Sequence, residues 1–396
     1  MTAPGPHRPG APRRVGLNIM WLVPGVVGGS EEYTTRLLSA IAAEAPADLE
    51  LTLFVNSSFP AIYPELAATY RTEIAPVSGR SKALRVAAET SWLALRCRSL
   101  GIDLVHHMGG IVPAWRPTPC VLTIHDLQPL VLPEHFAVPK RLFNRFSVPR
   151  SVRAADDIVT LTEYTKQDLV DRLGVDPDRI VVVPPGFGPG RDGPDPVRLP
   201  GPDETGDDVR SRYGLGDRPF FFLPAITYPH KNHLMLLEAF ATLHRDHPEA
   251  LLVLTSGEAQ MASDITAAIE RRGLGSHVKR LGRIPEGDIV MLYREAVALT
   301  FPSLYEGFGL PVLEAMASGC PVLAADATAL PEAVGGAGVL LPPSDPDAWT
   351  AAMVRVLTDE PFAADLSAAG SERIKAFDWH LSARTQMDVY RRAIRD

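Results

Sequence analysis

The chain alternates between short apolar runs and longer stretches in which apolar positions return every three or four residues. The first pattern marks buried strands and the second amphipathic helices. Residues 15–22 (VGLNIMWL) predict a strand, 24–30 a glycine-bearing loop, and 31–45 a helix with Leu37, Leu38 and Ile41 on one side. Further strands are expected at 49–55, 104–106, 121–124, 158–161 and 180–183. The rhythm then breaks and restarts with a strand at 220–223, a loop at 227–233, a helix at 234–244 and strands at 251–254, 278–281, 297–301, 322–324 and 339–341. Strands alternating with helices build parallel sheets, so the pattern predicts an α/β protein of two doubly wound, Rossmann-like domains in series. Ligands of such sheets bind beyond the carboxyl ends of the strands, and two facing domains would hold one in the cleft between them.

A length of 396 residues exceeds what one ordinary core supports, which agrees with two domains. Residues 1–14 (MTAPGPHRPGAPRR) lack periodicity and read as a disordered leader. The Pro- and Gly-rich texture after residue 184 cannot form a core and reads as an interdomain linker. The expected division is therefore a leader 1–14, a first domain 15–195, a linker 196–215 and a second domain 216–379, followed by a last helix within 380–396. The first 200 residues carry 21 basic and 20 acidic side chains and the remainder 18 and 27, a distribution that argues against a nucleic-acid partner. Cys97, Cys120 and Cys320 are far apart without metal-binding spacing, so neither a disulfide framework nor a zinc site is expected, and a reducing cytoplasm fits. Arg13 and Arg14 precede an apolar stretch in the manner of a signal peptide. Asn18, Pro24 and Gly25 interrupt that stretch and no small-x-small site follows, so export is not expected.

The segment most dense in chemistry is FPSLYEGFGLPVLEAMASGCPVLA, residues 301–324. It reads as strand, glycine loop, helix and strand, with Pro311 at the opening of the helix, where its missing N–H costs nothing. Gly307 and Gly309 allow close backbone approach. The N–H groups of Phe308, Gly309 and Leu310, together with the positive end of the helix dipole, form an anion cradle. Glu306 stands before the cradle and Glu314 is expected in the first turn after it. Carboxylates would repel a phosphate there unless they accept hydrogen bonds from hydroxyls on either side of it, and a nucleotide sugar supplies both sets. A second group, Pro229-His230-Lys231-Asn232-His233, follows the first strand of the second domain, where Lys231 can offset charge on a departing diphosphate.

The run from Glu306 to Glu314 resembles the E-x7-E signature of retaining, GT-B-fold glycosyltransferases of family four, and the similarity extends from about Val15 to the C-terminus. The resemblance implies a GT-B fold, with Glu306 beside the donor sugar, Glu314 on the ribose, and a last helix that crosses back onto the first domain. Relatives carry a diphosphate-binding arginine about five residues before the lysine; here Ile226 stands at that position. Either Lys231 works with the cradle alone or another cation such as Arg283 substitutes. The PHKNH loop is similar to that of a subgroup containing mannosyl- and rhamnosyltransferases of polysaccharide assembly. Gly28-Gly29-Ser30-Glu31 resembles the family's GG-x-E loop at the donor phosphate and acceptor. Thr123-Ile124-His125-Asp126, followed by Pro133-Glu134-His135-Phe136, resembles the subgroup's T-x-H-D motif. His125 there can hydrogen-bond the donor sugar or its developing charge, and Asp126 can bind hydroxyls or orient His125. The resemblance also implies an acceptor or phosphate contact for Lys166 and a nucleobase contact at Gly282-Arg283-Ile284.

The implied activity is transfer of a hexose, mannose or rhamnose by subgroup, from a nucleoside diphosphate sugar to a hydroxyl of a glycan, lipid-linked sugar or small molecule. A GT-B-fold nucleotide-sugar epimerase and an inactive nucleotide-sugar-binding protein are the alternatives. A nicotinamide oxidoreductase lacks its G-x-G-x-x-G after a strand. No cofactor and no metal are expected: Asp176-Pro-Asp178 and Asp345-Pro-Asp347 match a D-x-D pattern but read as aspartate helix caps followed by proline. Basic clusters at Arg80, Lys82, Arg85, Arg96 and Arg98, and at Lys140, Arg141, Arg145, Arg150 and Arg153, read either as solvated helix faces or as a peripheral contact at the inner face of the membrane.

Overall fold

The computed structural model describes residues 11–23, 28–187, 206–255 and 257–394. Leader residues 1–10, loop residues 24–27 and linker residues 196–205 therefore lie outside the described residues. The chain divides into two compact units, one holding the residues up to Gly186 and those from Asp378 onward, the other holding the second half up to Phe377.

The first unit is built on a parallel sheet of β1 (Arg13–Asn18), β2 (Leu49–Val55), β3 (Arg71–Ile74), β4 (Leu104–His107), β5 (Cys120–Ile124), β6 (Asp157–Thr160) and β7 (Ile180–Val182), in the order β3-β2-β1-β4-β5-β6-β7. The second contains β8 (Phe220–Pro224), β9 (Leu251–Thr255), β10 (Val278–Gly282), β11 (Ala298–Phe301), β12 (Val322–Ala325) and β13 (Val339–Leu341), all parallel, in the order β10-β9-β8-β11-β12-β13. Both are Rossmann-like, and in both the strand order reverses next to the first strand, between β1 and β4 and between β8 and β11.

The central strands explain this arrangement. Phe220, Phe221, Phe222 and Leu223 have no exposed surface, nor have Val15 and Leu17. Each fully buried side chain of this kind is worth roughly 1.5–3 kcal/mol relative to exposure. A strand apolar on both faces is satisfied only in mid-sheet with helices above and below.

Two strand expectations need correction. β1 begins at Arg13, inside the segment read as leader, because the Arg13 N–H donates to the Asp48 carbonyl at 2.9 Å and the Arg14 N–H to Asp103 Oδ2 at 2.8 Å. It ends at Asn18, and Ile19 to Leu22 are buried after the strand. β3 escapes prediction because Arg-Thr-Glu-Ile is a short edge strand with no apolar run to mark it. The two D-x-D segments are caps: Asp176 Oδ1 accepts from the Asp178 N–H and Asp345 Oδ1 from the Ala348 N–H, each at 3.0 Å.

The last helix, Trp379–Ala393, belongs to the first unit and packs against the helix Gly29–Glu44. Its Tyr390 hydroxyl lies 2.8 Å from His106 Nδ1 in β4, while His106 Nε2 meets Thr123 Oγ1 at 2.7 Å. Burial lowers the His106 pKa to about 3, so the ring is neutral and fully partnered inside the core. Tyr390→Phe should strand that ring nitrogen and lower stability by about 1–3 kcal/mol. Urea unfolding would measure this, and an unchanged midpoint would mean that the bond contributes nothing.

Candidate active site

In the second unit, the loop after β8 forms the 3-10 turn Pro229–Lys231, and Asn232 then takes a left-handed conformation with φ of 58°. The Asn232 side chain secures the turn by donating to the carbonyls of Pro302 at 3.2 Å and Pro343 at 2.7 Å. The His230 carbonyl accepts from the Leu304 N–H at 2.7 Å, which ties this loop to the one after β11. Lys231 is thereby aimed along the strand reversal. Its Nζ lies 2.5 Å from Glu306 Oε1 and 5.2 Å from the centre of the Phe301 ring. His233 opens the next helix as a buried, neutral ring whose pKa burial pushes down to about 4, with Nε2 3.3 Å from the Ala225 carbonyl.

Glu306 is fixed through its backbone. Thr328, in the loop after β12, accepts from the Glu306 N–H at 2.9 Å and donates to the Glu306 carbonyl at 3.2 Å through the same hydroxyl. Thr328 does so at φ of 50°, a conformation that β-branched residues rarely adopt. Gly309 caps the helix Leu310–Ala317 at φ of 99°, and a Cβ there would stand 2.7 Å from Leu330 Cδ2, so only glycine fits. The first N–H groups of this helix have no intrahelical partner, and its dipole is positive at that end. The Phe308 side chain is buried edge-on against Phe377, leaving only its backbone for a ligand.

Glu314 differs from expectation. The helix starts at Leu310, so Glu314 lies beyond the first turn, where the hydroxyl of buried Tyr293 donates to its Oε2 at 2.9 Å. Tyr293 itself packs edge-on against Phe222 of β8, with ring centres 5.0 Å apart. Arg283 is exposed at the end of β10, its guanidinium over Gly257 after β9, with Ile284 beside it. Ile226 accepts the Tyr228 N–H at 2.7 Å in a tight turn, and the neighbouring Thr227 hydroxyl anchors the Ala259 N–H at 2.6 Å.

In the first unit, Gly28 caps the helix Gly29–Glu44 at φ of 69° and its carbonyl accepts from the Glu31 N–H at 2.8 Å. Glu31 Oε1 accepts a short hydrogen bond from the Tyr63 hydroxyl. Tyr33 of the same helix meets His125 edge-on at 5.6 Å, with Trp21 at 5.9 Å from the same ring. The helix that the GG-x-E segment opens is therefore packed through Tyr33 against His125. His125 Nε2 lies 3.0 Å from the Met108 carbonyl, which can only accept, so Nε2 carries the proton and Nδ1 is an enclosed acceptor with no partner among the described residues. Burial lowers the ring's pKa to about 4, so it is neutral at pH 7. Asp126 Oδ1 accepts from the Gln128 N–H at 2.9 Å. Lys166 sits in the first turn of the helix Glu163–Leu173, which Thr162 caps by accepting from the Thr165 N–H at 3.1 Å.

Sequence reasoning missed Tyr293 and Thr328. Tyr293 occupies an ordinary apolar position of the helix Glu286–Glu295, and Thr328 is a loop threonine; only the conformation exposes either. Thr328→Val keeps the strained backbone and loses both hydrogen bonds, whereas Thr328→Gly loses the bonds but relieves the strain, worth about 1–2 kcal/mol. Thermal unfolding should rank wild type above Gly and Gly above Val; a valine variant as stable as wild type would remove the clamp from the account.

Comparison with known proteins bears on the family and the fold. The family described as Glycosyltransferase Family 4 matches residues 27–191, and Glycosyl transferases group 1 matches residues 207–373. The O-antigen chain mannosyltransferase B of Escherichia coli is 28% identical over 291 residues, 73% of this chain and 74% of that protein. A D-inositol 3-phosphate glycosyltransferase of Kineococcus radiotolerans is 31% identical over 264 residues, 62% of this chain and 59% of that one. The crystal structure of Anabaena HepE in complex with UDP and glucose superimposes with a TM-score of 0.73 at 20% identity, covering 96% of this chain and 99% of that one. With two Rossmann-like sheets and a family match in each half, the chain belongs to the GT-B glycosyltransferases of group 1, family 4.

Proposed function

We propose that this glycosyltransferase transfers a hexose, mannose or rhamnose, with retention of configuration, from a nucleoside diphosphate sugar to a hydroxyl of a glycan, lipid-linked sugar or small molecule. The observation that carries this reading is Lys231 and Glu306 held together beside the capped N-terminus of the helix Leu310–Ala317, at the β8–β11 reversal. An anion-binding helix start flanked by carboxylates suits a diphosphate with hydroxylated groups on both sides. The similarity to a mannosyltransferase of O-antigen chains supports the choice of sugar and acceptor class.

In this reading the diphosphate lies on the N–H groups of Phe308, Gly309 and Leu310. Glu306 accepts from sugar hydroxyls, and Glu314, oriented by Tyr293, accepts from the ribose. As the bond between the anomeric carbon and the diphosphate oxygen breaks, Lys231 offsets the charge on the leaving group. The acceptor oxygen attacks the anomeric carbon from the face the diphosphate vacates, and its proton passes to the diphosphate. The neutral ring of His125 is assigned to the sugar side of the site and is not a fixed cation; its Nε2–H is engaged on the Met108 carbonyl, and its enclosed Nδ1 meets a sugar hydroxyl only if the side chains that cover it shift. Arg283 and Ile284 are assigned to the nucleobase side, Gly28 and Gly29 to the donor phosphate, and Glu31, Asp126 and Lys166 to hydroxyls or phosphates on the acceptor side.

Thermal shift with GDP, UDP, dTDP and their hexose conjugates tests the donor. At about 100 times its dissociation constant a ligand stabilises by ~2.7 kcal/mol, so one nucleoside diphosphate should raise the melting temperature clearly, and further when the sugar is attached. No shift with any of them would refute a preformed donor site. Glu306→Ala should cut turnover by about 100-fold or more while leaving affinity for the free diphosphate nearly intact, and Glu314→Ala should weaken that affinity itself. Equal loss of both properties in Glu306→Ala would sink the sugar-side assignment.

A further inference from the structure

The helix Val138–Ala154, about 25 Å long, carries its large apolar side chains on the wrong side for a core. Val138 is 66% exposed, Leu142 49% and Phe146 70%, and their spacing of four residues places them in one stripe along the helix surface. Arg141 and Arg145 form the neighbouring stripe, and Arg153 extends the exposed face. The opposite side is already used, with Asn144, Ser151 and Val152 buried.

A second short helix, Lys82–Ala88, joins the same patch. Lys82 Nζ lies 3.6 Å above the Phe143 ring, and Leu84 is 62% exposed. Lys140 Nζ lies 4.6 Å above Phe136. No Asp or Glu occurs from His135 to Ala155 or from Arg80 to Ala88. Among the described residues, Arg80, Lys82, Lys140, Arg141, Arg145 and Arg153 form no ion pair. Arg14, Arg71, Arg96, Arg116, Arg172 and Arg391, elsewhere on the unit, each pair with a carboxylate. Burial, with smaller contributions from the nearby charges of Arg85 and Lys140, pushes the Lys82 pKa down to about 8.

We propose that this face, centred on Leu142 and Phe146 and rimmed by Arg80, Lys82, Lys140, Arg141, Arg145 and Arg153, docks on the surface of an anionic lipid bilayer. Acyl chains receive the apolar stripe while headgroup phosphates neutralise the rim, so one partner satisfies both halves of the patch. A nucleic acid would pair with the cations but press Val138, Leu142 and Leu84 against phosphate oxygens. A second copy of the same face would bring two uncompensated positive surfaces together. The inference does not depend on the donor or the acceptor.

Co-sedimentation of the full chain with vesicles tests it. The protein should pellet with phosphatidylcholine vesicles that contain phosphatidylglycerol, remain in solution with phosphatidylcholine alone, and be released by added salt. One basic residue near the surface is worth roughly fivefold in partition, so the triple variant Lys140→Ala, Arg141→Ala, Arg145→Ala should lose on the order of 100-fold. Leu142→Glu with Phe146→Glu should lose about tenfold or more at an unchanged melting temperature, since both side chains are exposed. Equal pelleting with both vesicle types would overturn the proposal. So would pelleting that the glutamate variant retains and a single-stranded RNA abolishes, which would assign the face to a polyanion, or a dimer in solution that the glutamate variant splits while vesicles bind neither form.

Discussion

A four-residue run without a polar side chain, Phe220 to Leu223, has to be covered on both faces and hydrogen-bonded on both edges. β8 therefore sits between β9 and β11, and because β9 and β11 leave it in opposite directions, the loops after β8 and β11 open toward each other. The pairing of Lys231 with Glu306 across those loops, 75 positions apart in the chain, follows from where β8 is buried. The same constraint on β1 places the glycine cap of the helix Gly29–Glu44 beside the loops that follow β4 and β5.

The Lys231–Glu306 pair has a consequence for donor recognition. In the proposed donor site, an ammonium already beside a carboxylate would present less net charge to a diphosphate than a free lysine, and with an apolar residue at Ile226 the helix start would have a larger share of the anion to bind. That share rests on backbone N–H groups, which cost no reorganisation because the glycine cap and the Thr328 clamp hold them in place before any ligand arrives. The strain at Thr328 is understandable in this light: a threonine in a left-handed conformation persists only when its hydroxyl is over-determined, here by both backbone groups of Glu306.

The two units also divide their polar chemistry differently. The first contains neutral histidines in its interior, His106, His107 and His125, each with a pKa lowered by burial, and keeps its cations on an outer face. The second brings charge inward, to the ends of β8 and β11.

Much of this was legible from residue order alone. Strand runs such as Phe220 to Leu223 and Leu251 to Leu254, the caps at Asp176, Asp345 and Thr162, and the proline-opened helix after Gly309 are local features, and apolar periodicity and side-chain-to-backbone bonding decide them within a few residues. β3 was not legible because an edge strand needs only one neighbour and no apolar signature, and the true start of β1 depended on Asp48 and Asp103, far along the chain. Glu306, Lys231 and Glu314 could be named from motif and resemblance. The resemblance also implied that the last helix returns to the first domain. Tertiary structure alone decided that Lys231 faces Glu306, that Tyr293 holds Glu314, that Thr328 clamps Glu306 and that Tyr390 of the last helix meets His106. The sequence by itself determined the elements and the chemistry they carry, because hydrophobic period and capping act over one or two turns. Which groups meet depended on strand order and helix packing, which bring together residues tens to hundreds of positions apart.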